Sequence, residues 1–339
     1  MAGEFELIAA PRRDDVRSAL RSTFGAREIG GFRPISGGVS GAQILRFEVA
    51  DRTYVLRIEP ERVAFQDRQR GFACMAAAAA VAVAPALHYA DAGAGVAIMD
   101  FVSGRPLSEH PGGAPGLVRE LGALTAEVQT APGFPIIGDY PVVIEAMLTS
   151  LAKSGLFPPG ALGPHAEGLA RVAASLPWDS ASLVASHNDP NPRNILFDGR
   201  RLWLIDWELA WANDRLVDLA ILTNEFAQTP ELQDVLLEAA LGHAPHGRLR
   251  ARLQVIGLLT RLSYGCIVLG SFASASAMAQ DRSLAAFSPS EFRAAVADGR
   301  LKSGSPETAY AFGKMSLAAF ISGIDAPGFD EVLARVEQG

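Results

Sequence analysis

Only two cysteines, Cys74 and Cys266, occur in 339 residues, far apart and each among apolar neighbours. That spacing excludes a disulfide framework or a zinc knuckle and points to buried thiols in a reducing compartment. Positive charge is also scarce: 30 Lys and Arg stand against 37 Asp and Glu, a formal net charge of −7, and no window is dense in basic residues. A nucleic-acid binder that relies on phosphate neutralisation is therefore disfavoured. No convincing membrane span is expected. Residues 71–90 are mostly alanine and broken by Pro85, and residues 262–279 follow Arg261 and are loaded with Ser and Gly. Neither stretch supplies about 20 strongly apolar residues in a row. The opening MAGEFELIAAPRRDD carries acids before any apolar run, unlike a secretory signal, so a cytoplasmic location is the expectation. No G-x-x-x-x-G-K-[ST] occurs, which excludes a Walker-type nucleotide site.

What the chain does have is core-forming material, with 49% hydrophobic against 20% charged residues. Its length suits two lobes. Val16, Leu20 and Phe24 recur every four residues in a short amphipathic helix over 12–24. Short strands rich in β-branched and aromatic residues are predicted at 32–35, 44–49 and 53–58, and two more at 87–90 and 96–101. An alanine-rich helix over 63–80 stops before Pro85. From Ser103 the pattern turns to Gly and Pro punctuation and then to helix almost throughout, except for strand and loop over 183–207. The expectation is an α+β protein: an N-terminal lobe (1–102) built on a small antiparallel sheet, a mostly helical C-terminal lobe (103–339), and a cleft between them.

The segment S-H-N-D-P-N-P-R-N-I-L-F-D-G-R-R-L-W-L-I-D-W-E, residues 186–208, carries the chemistry. Pro190 and Pro192 forbid regular helix, so His187–Arg193 must be an irregular loop. Apolar runs on either side of Asp198-Gly199 predict a hairpin with a two-residue turn, which folds Asp206 back toward Asn194. Phosphoryl transfer needs such a set, because catalysis there is mostly positioning and charge neutralisation. Asp189 is the candidate to orient and deprotonate an acceptor hydroxyl. Asn194 and Asp206 offer the hard oxygens that magnesium prefers, with Glu208 either a third ligand or a solvated acid. The opposing reading is that Asn, Asp and Pro here only form turns.

H-x-D-x-x-x-x-N, then a strand ending I-D-W-E, then Asn213 and Asp218-Leu219-Ala220, resembles the choline kinase and aminoglycoside phosphotransferase family, relatives of the protein kinases. Asn-Asp after His187 and Trp-Glu after Asp206 lean toward the choline-kinase side. The resemblance implies a two-lobe protein-kinase-like fold and transfer of phosphate from ATP, with Mg²⁺, to a hydroxyl of a small molecule. It makes Asp189 the catalytic base, Asn194 and Asp206 the metal ligands, and His187 and Asp218 structural supports. A protein kinase proper is disfavoured, since neither D-F-G nor A-P-E follows.

By the same resemblance the front lobe holds the nucleotide. Ser36, Gly37, Gly38, Ser40 and Gly41 lie between two strands, where backbone amides and serine hydroxyls reach phosphates; the plainer reading is a Gly-rich turn. Arg57, in Tyr54-Val55-Leu56-Arg57-Ile58, is the cation expected on the third strand to reach the α- and β-phosphates, or else a surface-edge arginine. Asp100, Phe101 and Val102 would border the adenine, with Asp100 either bonding ribose or facing water. One departure stands out. The family places a glutamate on the following helix to hold the cation, but residues 63–80 contain no Glu; the position falls near Gly71, and Asp67 is the acid available in its stead.

For the acceptor, the resemblance implies a cage of aromatics and an acid around a quaternary ammonium. Trp207, Trp211 and Glu225 are candidates, with Phe226, Tyr264 and Phe312, though aromatics at helical spacing also build cores. A choline-like amino alcohol or an aminoglycoside suits the acidic balance. The rival from another class is a catalytically silent nucleotide-binding scaffold of the same fold.

Overall fold

A computed structural model describes residues 4–35, 41–60, 67–273 and 281–337. In chain order the elements are α1 (Arg13–Phe24), β1 (Ile29–Pro34), β2 (Gln43–Val49), β3 (Arg52–Ile58), α2 (Arg68–Ala80), β4 (Leu87–Asp91), β5 (Val96–Asp100) and α3 (Gly113–Val128). They continue with α4 (Tyr140–Lys153), α5 (Gly163–Ser175), β6 (Val184–Ser186), β7 (Ile195–Phe197), β8 (Leu202–Leu204) and β9 (Trp211–Asn213). The remainder is α6 (Val217–Phe226), α7 (Pro230–Leu241), α8 (Gly247–Phe272), α9 (Pro289–Ala297), α10 (Pro306–Ile324) and α11 (Phe329–Glu337). This is the expected α+β composition, with one small antiparallel sheet and a mostly helical remainder.

Two compact units emerge, and their membership differs from a simple cut after residue 102. One comprises Met1–Ile136, Val184–Ala212 and Glu225–Gly242; the other comprises Ile137–Leu183, Asn213–Asn224 and His243–Gly339. The catalytic-loop candidates and the front sheet therefore belong to the same unit.

In the first unit five antiparallel strands run in the order β1-β2-β3-β5-β4. Alternation along the strands puts Leu45, Phe47 and Val49 of β2 and Tyr54, Leu56 and Ile58 of β3 into one core, which α1 covers with Val16, Ala19, Leu20 and Phe24. Aromatic rings lock this face: Phe24 meets Tyr54 edge-on at 4.8 Å and Phe32 stacks on Phe47 at 5.2 Å. Each such fully buried side chain stabilises by roughly 1.5–3 kcal/mol. Register follows from the same alternation, because a slip of one residue would turn the apolar set outward. Leu56 pairs with Leu45 on β2 and Ile98 on β5. Arg57, its neighbour, is thereby carried to the opposite face. Elsewhere in this unit α3 packs on α7 at a point where Gly122 meets the Leu236 carbonyl.

The second unit is built around α8, against which α10, α4 and α11 pack. Helices α8 and α10 approach closely because Gly265 faces Leu317 and Gly313 faces Leu269. Helix α8 is long and apolar enough to cross a membrane by length and composition, with a window of mean hydropathy 1.6. Half of that window is buried inside the fold, and Thr260, Arg261 and Ser263 lie buried along it. Among the described residues no other helix meets that standard.

Candidate active site

The loop after β6 is organised by its own side chains. Asn188 adopts a left-handed backbone (φ 62°), which Asn tolerates better than most residues, and its amide nitrogen donates to the carbonyls of Ser186, Leu209 and Trp211. His187 is fully buried. Its Nδ1 accepts the Asp189 amide at 3.2 Å, its Nε2 donates to the Ile205 carbonyl at 2.9 Å, and its ring lies 4.5 Å from that of Trp207. These bonds use both ring nitrogens, so the imidazole ties the loop to the residue before Asp206.

Asp189 and Asn194 meet directly. Asn194 Nδ2 donates to the Asp189 carboxylate and to its backbone carbonyl, both at 2.9 Å. Asn191, which sequence reasoning did not single out, donates from Nδ2 to the other Asp189 oxygen at 2.8 Å and accepts the Arg193 amide. Because Asn194 spends its amide nitrogen on Asp189, its side-chain oxygen is turned away from that carboxylate and remains a hard donor. Ile205 N bonds Asn194 O at 2.9 Å, so the hairpin returns the chain beside Asn194 just before Asp206. The β7–β8 pairing runs Ile195 with Leu204 through Phe197 with Leu202, leaving Asp198–Arg201 as the loop. Asp198 N donates to Arg201 O at 3.2 Å, so the hairpin closes on a two-residue tip, Gly199-Arg200, one position beyond the expected Asp198-Gly199. The Asp198 carboxylate accepts the amides of both Arg200 and Arg201 and so stabilises the turn.

Asp206 also sits in the left-handed region (φ 68°, ψ 70°) and leads into the single helical turn Trp207–Leu209. Arg57 lies in the same neighbourhood, 8% exposed, amid three carboxylates. Its Nε donates to Glu59 Oε1 at 2.5 Å, its Nη2 lies 3.2 Å from Asp206 Oδ1, and the same nitrogen pairs with Glu208. Glu208 also accepts Arg70 through its backbone carbonyl. Asp67 is not a partner of Arg57: it caps α2 by accepting the Arg70 amide. At Gly71 an added Cβ would stand 3.5 Å from Glu208 Cα, so the helix position expected to bear a glutamate lies against the Trp207–Glu208 backbone. In the same packing Cys74 approaches the Ala210 carbonyl, and burial pushes its thiol up to about 11.

Several expected residues lie elsewhere. The Asp100 carboxylate pairs with His88 Nε2 at 2.7 Å, and the amides of Asp100 and Phe101 bond Ala86 O and Thr53 O. Those two amides are therefore committed to the sheet. Trp207 is 1% exposed and packs between His187 and Phe134, and Trp211 is buried as well. Trp207 thus supports the loop from within rather than offering a face to an acceptor. Glu225 is half-buried near the end of α6, and Asp218 is buried in the first turn of that helix. Gly41 has a positive φ of 75°, while Ser36, Gly37, Gly38 and Ser40 lie outside the described residues.

The donor chemistry suits magnesium, a hard cation that shares its octahedron among one or two carboxylates, water and phosphates. One carboxylate (Asp206) and one amide oxygen (Asn194) meet that requirement. Among the described residues no group of three or more His, Cys, Asp or Glu forms a cage that would hold a metal unaided.

Glu59 was missed although its signal was present: it stands two residues after Arg57, hence on the same face of the strand. Asn191 follows Asp189 by two within a Pro-rich loop, where no periodicity announces a contact.

Comparison with known proteins gives both a short sequence match and a match of the whole fold. Protein LicA of Haemophilus influenzae is 44% identical over 56 residues, 16% of this chain and 21% of that protein, so the match spans about a fifth of that relative. Across nearly the whole chain the fold is that of a choline/ethanolamine kinase family protein from Mesorhizobium loti, with a TM-score of 0.65 and 22% identity over 97% of this chain and 100% of that one. The choline kinase LicA from Streptococcus pneumoniae gives 0.63 and 13% over 91% and 100%. Residues 31–254, more than half of the chain and including both the Arg57 strand and the Asp189 loop, match the profile of the phosphotransferase enzyme family APH, and to that family this chain belongs.

Proposed function

We propose that the chain is an ATP- and Mg²⁺-dependent kinase that phosphorylates a hydroxyl of a small cationic alcohol, choline-like or aminoglycoside-like. The observation that carries this reading is the Asp189–Asn194 pair, joined through Ile205 to Asp206 just after the returning strand. Membership of the phosphotransferase family and the fold shared with choline kinases support it.

In this reading Asp189 accepts the proton of the acceptor hydroxyl, with its carboxylate held by Asn191 and Asn194. Asn194 and Asp206 hold magnesium, with Glu208 as a further acid beside them. When bound, the metal neutralises charge on the β- and γ-phosphates. Arg57 steadies the phosphates through the planar fork of its guanidinium, and the Ser36–Gly41 loop covers them. Val102 supplies the amide for the adenine edge. Small-molecule chemistry with cytosolic ATP agrees with a cytoplasmic location.

The deciding experiment is an ADP-release screen of the full chain over choline, ethanolamine, aminoglycosides, sugars and hydroxyacyl compounds. Acceptor-dependent ADP release that requires Mg²⁺ is the expected result, strongest with cationic alcohols. ATP binding without turnover on any acceptor, and without slow hydrolysis, would favour the silent scaffold instead.

A further inference from the structure

The chain lacks the helix glutamate that a kinase-like site uses to hold its strand cation, yet Arg57 is held. The geometry points to Glu59 as the residue that replaces it, a carboxylate supplied by the cation's own strand. This inference rests on the reading of Arg57 as the phosphate-binding cation.

Residues two apart on a strand face the same way, so Glu59 needs no helix to bring it to Arg57. Its carboxylate takes Nε of Arg57 at 2.5 Å, and both side chains are buried, 5% and 9% exposed. A charge-assisted bond in such surroundings is short and orienting. With Nε occupied, the guanidinium plane is fixed and Nη2 faces Asp206 and Glu208. Glu59 is itself immobilised by the backbone. Its amide bonds Gly95 O at 2.8 Å, extending the β3–β5 ladder by one residue, and its carbonyl accepts Arg12 Nη1 at 2.7 Å. On the side of α2, Gly71 lies against the Trp207–Glu208 backbone, and the acid at the start of that helix, Asp67, caps it by accepting the Arg70 amide. The Nε edge of Arg57 is therefore held from within the sheet, by a residue of its own strand, while Nη2 pairs with Asp206 and Glu208. Glu59 is a positioning residue, acting on phosphate only through Arg57.

Calorimetry of the full chain with MgATP and with adenosine tests this, because adenosine has no phosphate for Arg57 to meet. For Glu59→Gln the preference for MgATP over adenosine should fall about tenfold while adenosine affinity stays unchanged. In an Arg57→Gln background the same substitution should lower the preference no further. If Glu59→Gln does not fold, Glu59→Asp keeps the charge and withdraws the carboxylate by one methylene; it should lose the preference several-fold, again at constant adenosine affinity. An undiminished preference in the variant that folds, or a further drop in the Arg57→Gln background, would overturn the inference. If the parent protein binds MgATP no more tightly than adenosine, the phosphate-binding reading of Arg57 falls, and this inference with it.

Discussion

Replacing Asp189 by Asn removes one charge and exchanges one carboxylate oxygen for an NH₂ group, with almost no change in volume. The two oxygens of Asp189 accept from different donors, Asn191 Nδ2 at 2.8 Å and Asn194 Nδ2 at 2.9 Å. An amide in that place accepts from one donor and presents its own NH₂ to the other, so one bond becomes a donor–donor contact. A lost bond that strands a partly buried polar group costs about 1–3 kcal/mol. Loss of the proton acceptor is the larger effect in the reaction: general-base catalysis contributes about 10²–10⁴ in rate, or about 2.7–5.4 kcal/mol in the barrier. Steady-state ADP release with a confirmed acceptor, together with urea unfolding, separates the two quantities. The expected outcome is kcat down by about 10²–10⁴, stability down by about 1–3 kcal/mol and MgATP affinity changed little. Turnover at the parental rate would refute the assignment of Asp189, and unchanged stability would refute the hydrogen-bond argument independently.

Three further outcomes follow from the packing and the titrating groups. An added Cβ at Gly122 would stand 2.5 Å from the Leu236 carbonyl, whereas at Gly71 its nearest neighbour lies at 3.5 Å. Gly122→Ala should therefore destabilise by about 1–3 kcal/mol in a urea titration and Gly71→Ala should be neutral or stabilise by up to about 1 kcal/mol. Hydrogen bonds from Lys314 and Ser283 hold the Asp281 carboxyl down at about 2. Since the folded value lies below the unfolded one, the stabilisation is complete above about pH 4 and is lost as pH falls toward 2. Lys314→Met should flatten that limb of the stability profile; a limb of parental steepness would refute the pairing. Burial pushes the Cys74 and Cys266 thiols up to about 11 and about 12. Ellman's reagent at pH 8 should find neither thiol in the folded protein and both after denaturation, because the thiolate is the reacting form.

Where the candidate site depends on neighbours in sequence, its geometry was legible. Asp189, Asn194 and Asp206 lie on one loop and hairpin, and two prolines with a run of alternating residues suffice to draw that path. Helix α1 was equally plain, since three apolar residues four apart define a face. The partner of Arg57 was not, because the family resemblance points to an acid on the following helix, while the acid stands two residues along the strand. For Trp207 the sequence left an acceptor cage and a core role open, and the burial of its ring against His187 and Phe134 places it in the core. Chain proximity also hid the unit boundaries, since 184–212 and 225–242 join residues more than fifty positions upstream.

Asn188 donates to three carbonyls drawn from both ends of the segment 186–211, from a backbone conformation that most side chains resist. One amide thus acts as a staple across the base of the loop, and the loop's shape is settled as the protein folds. In the proposed kinase reading, an arriving nucleotide and acceptor would meet oxygens already aimed, so binding energy need not be diverted to arranging them.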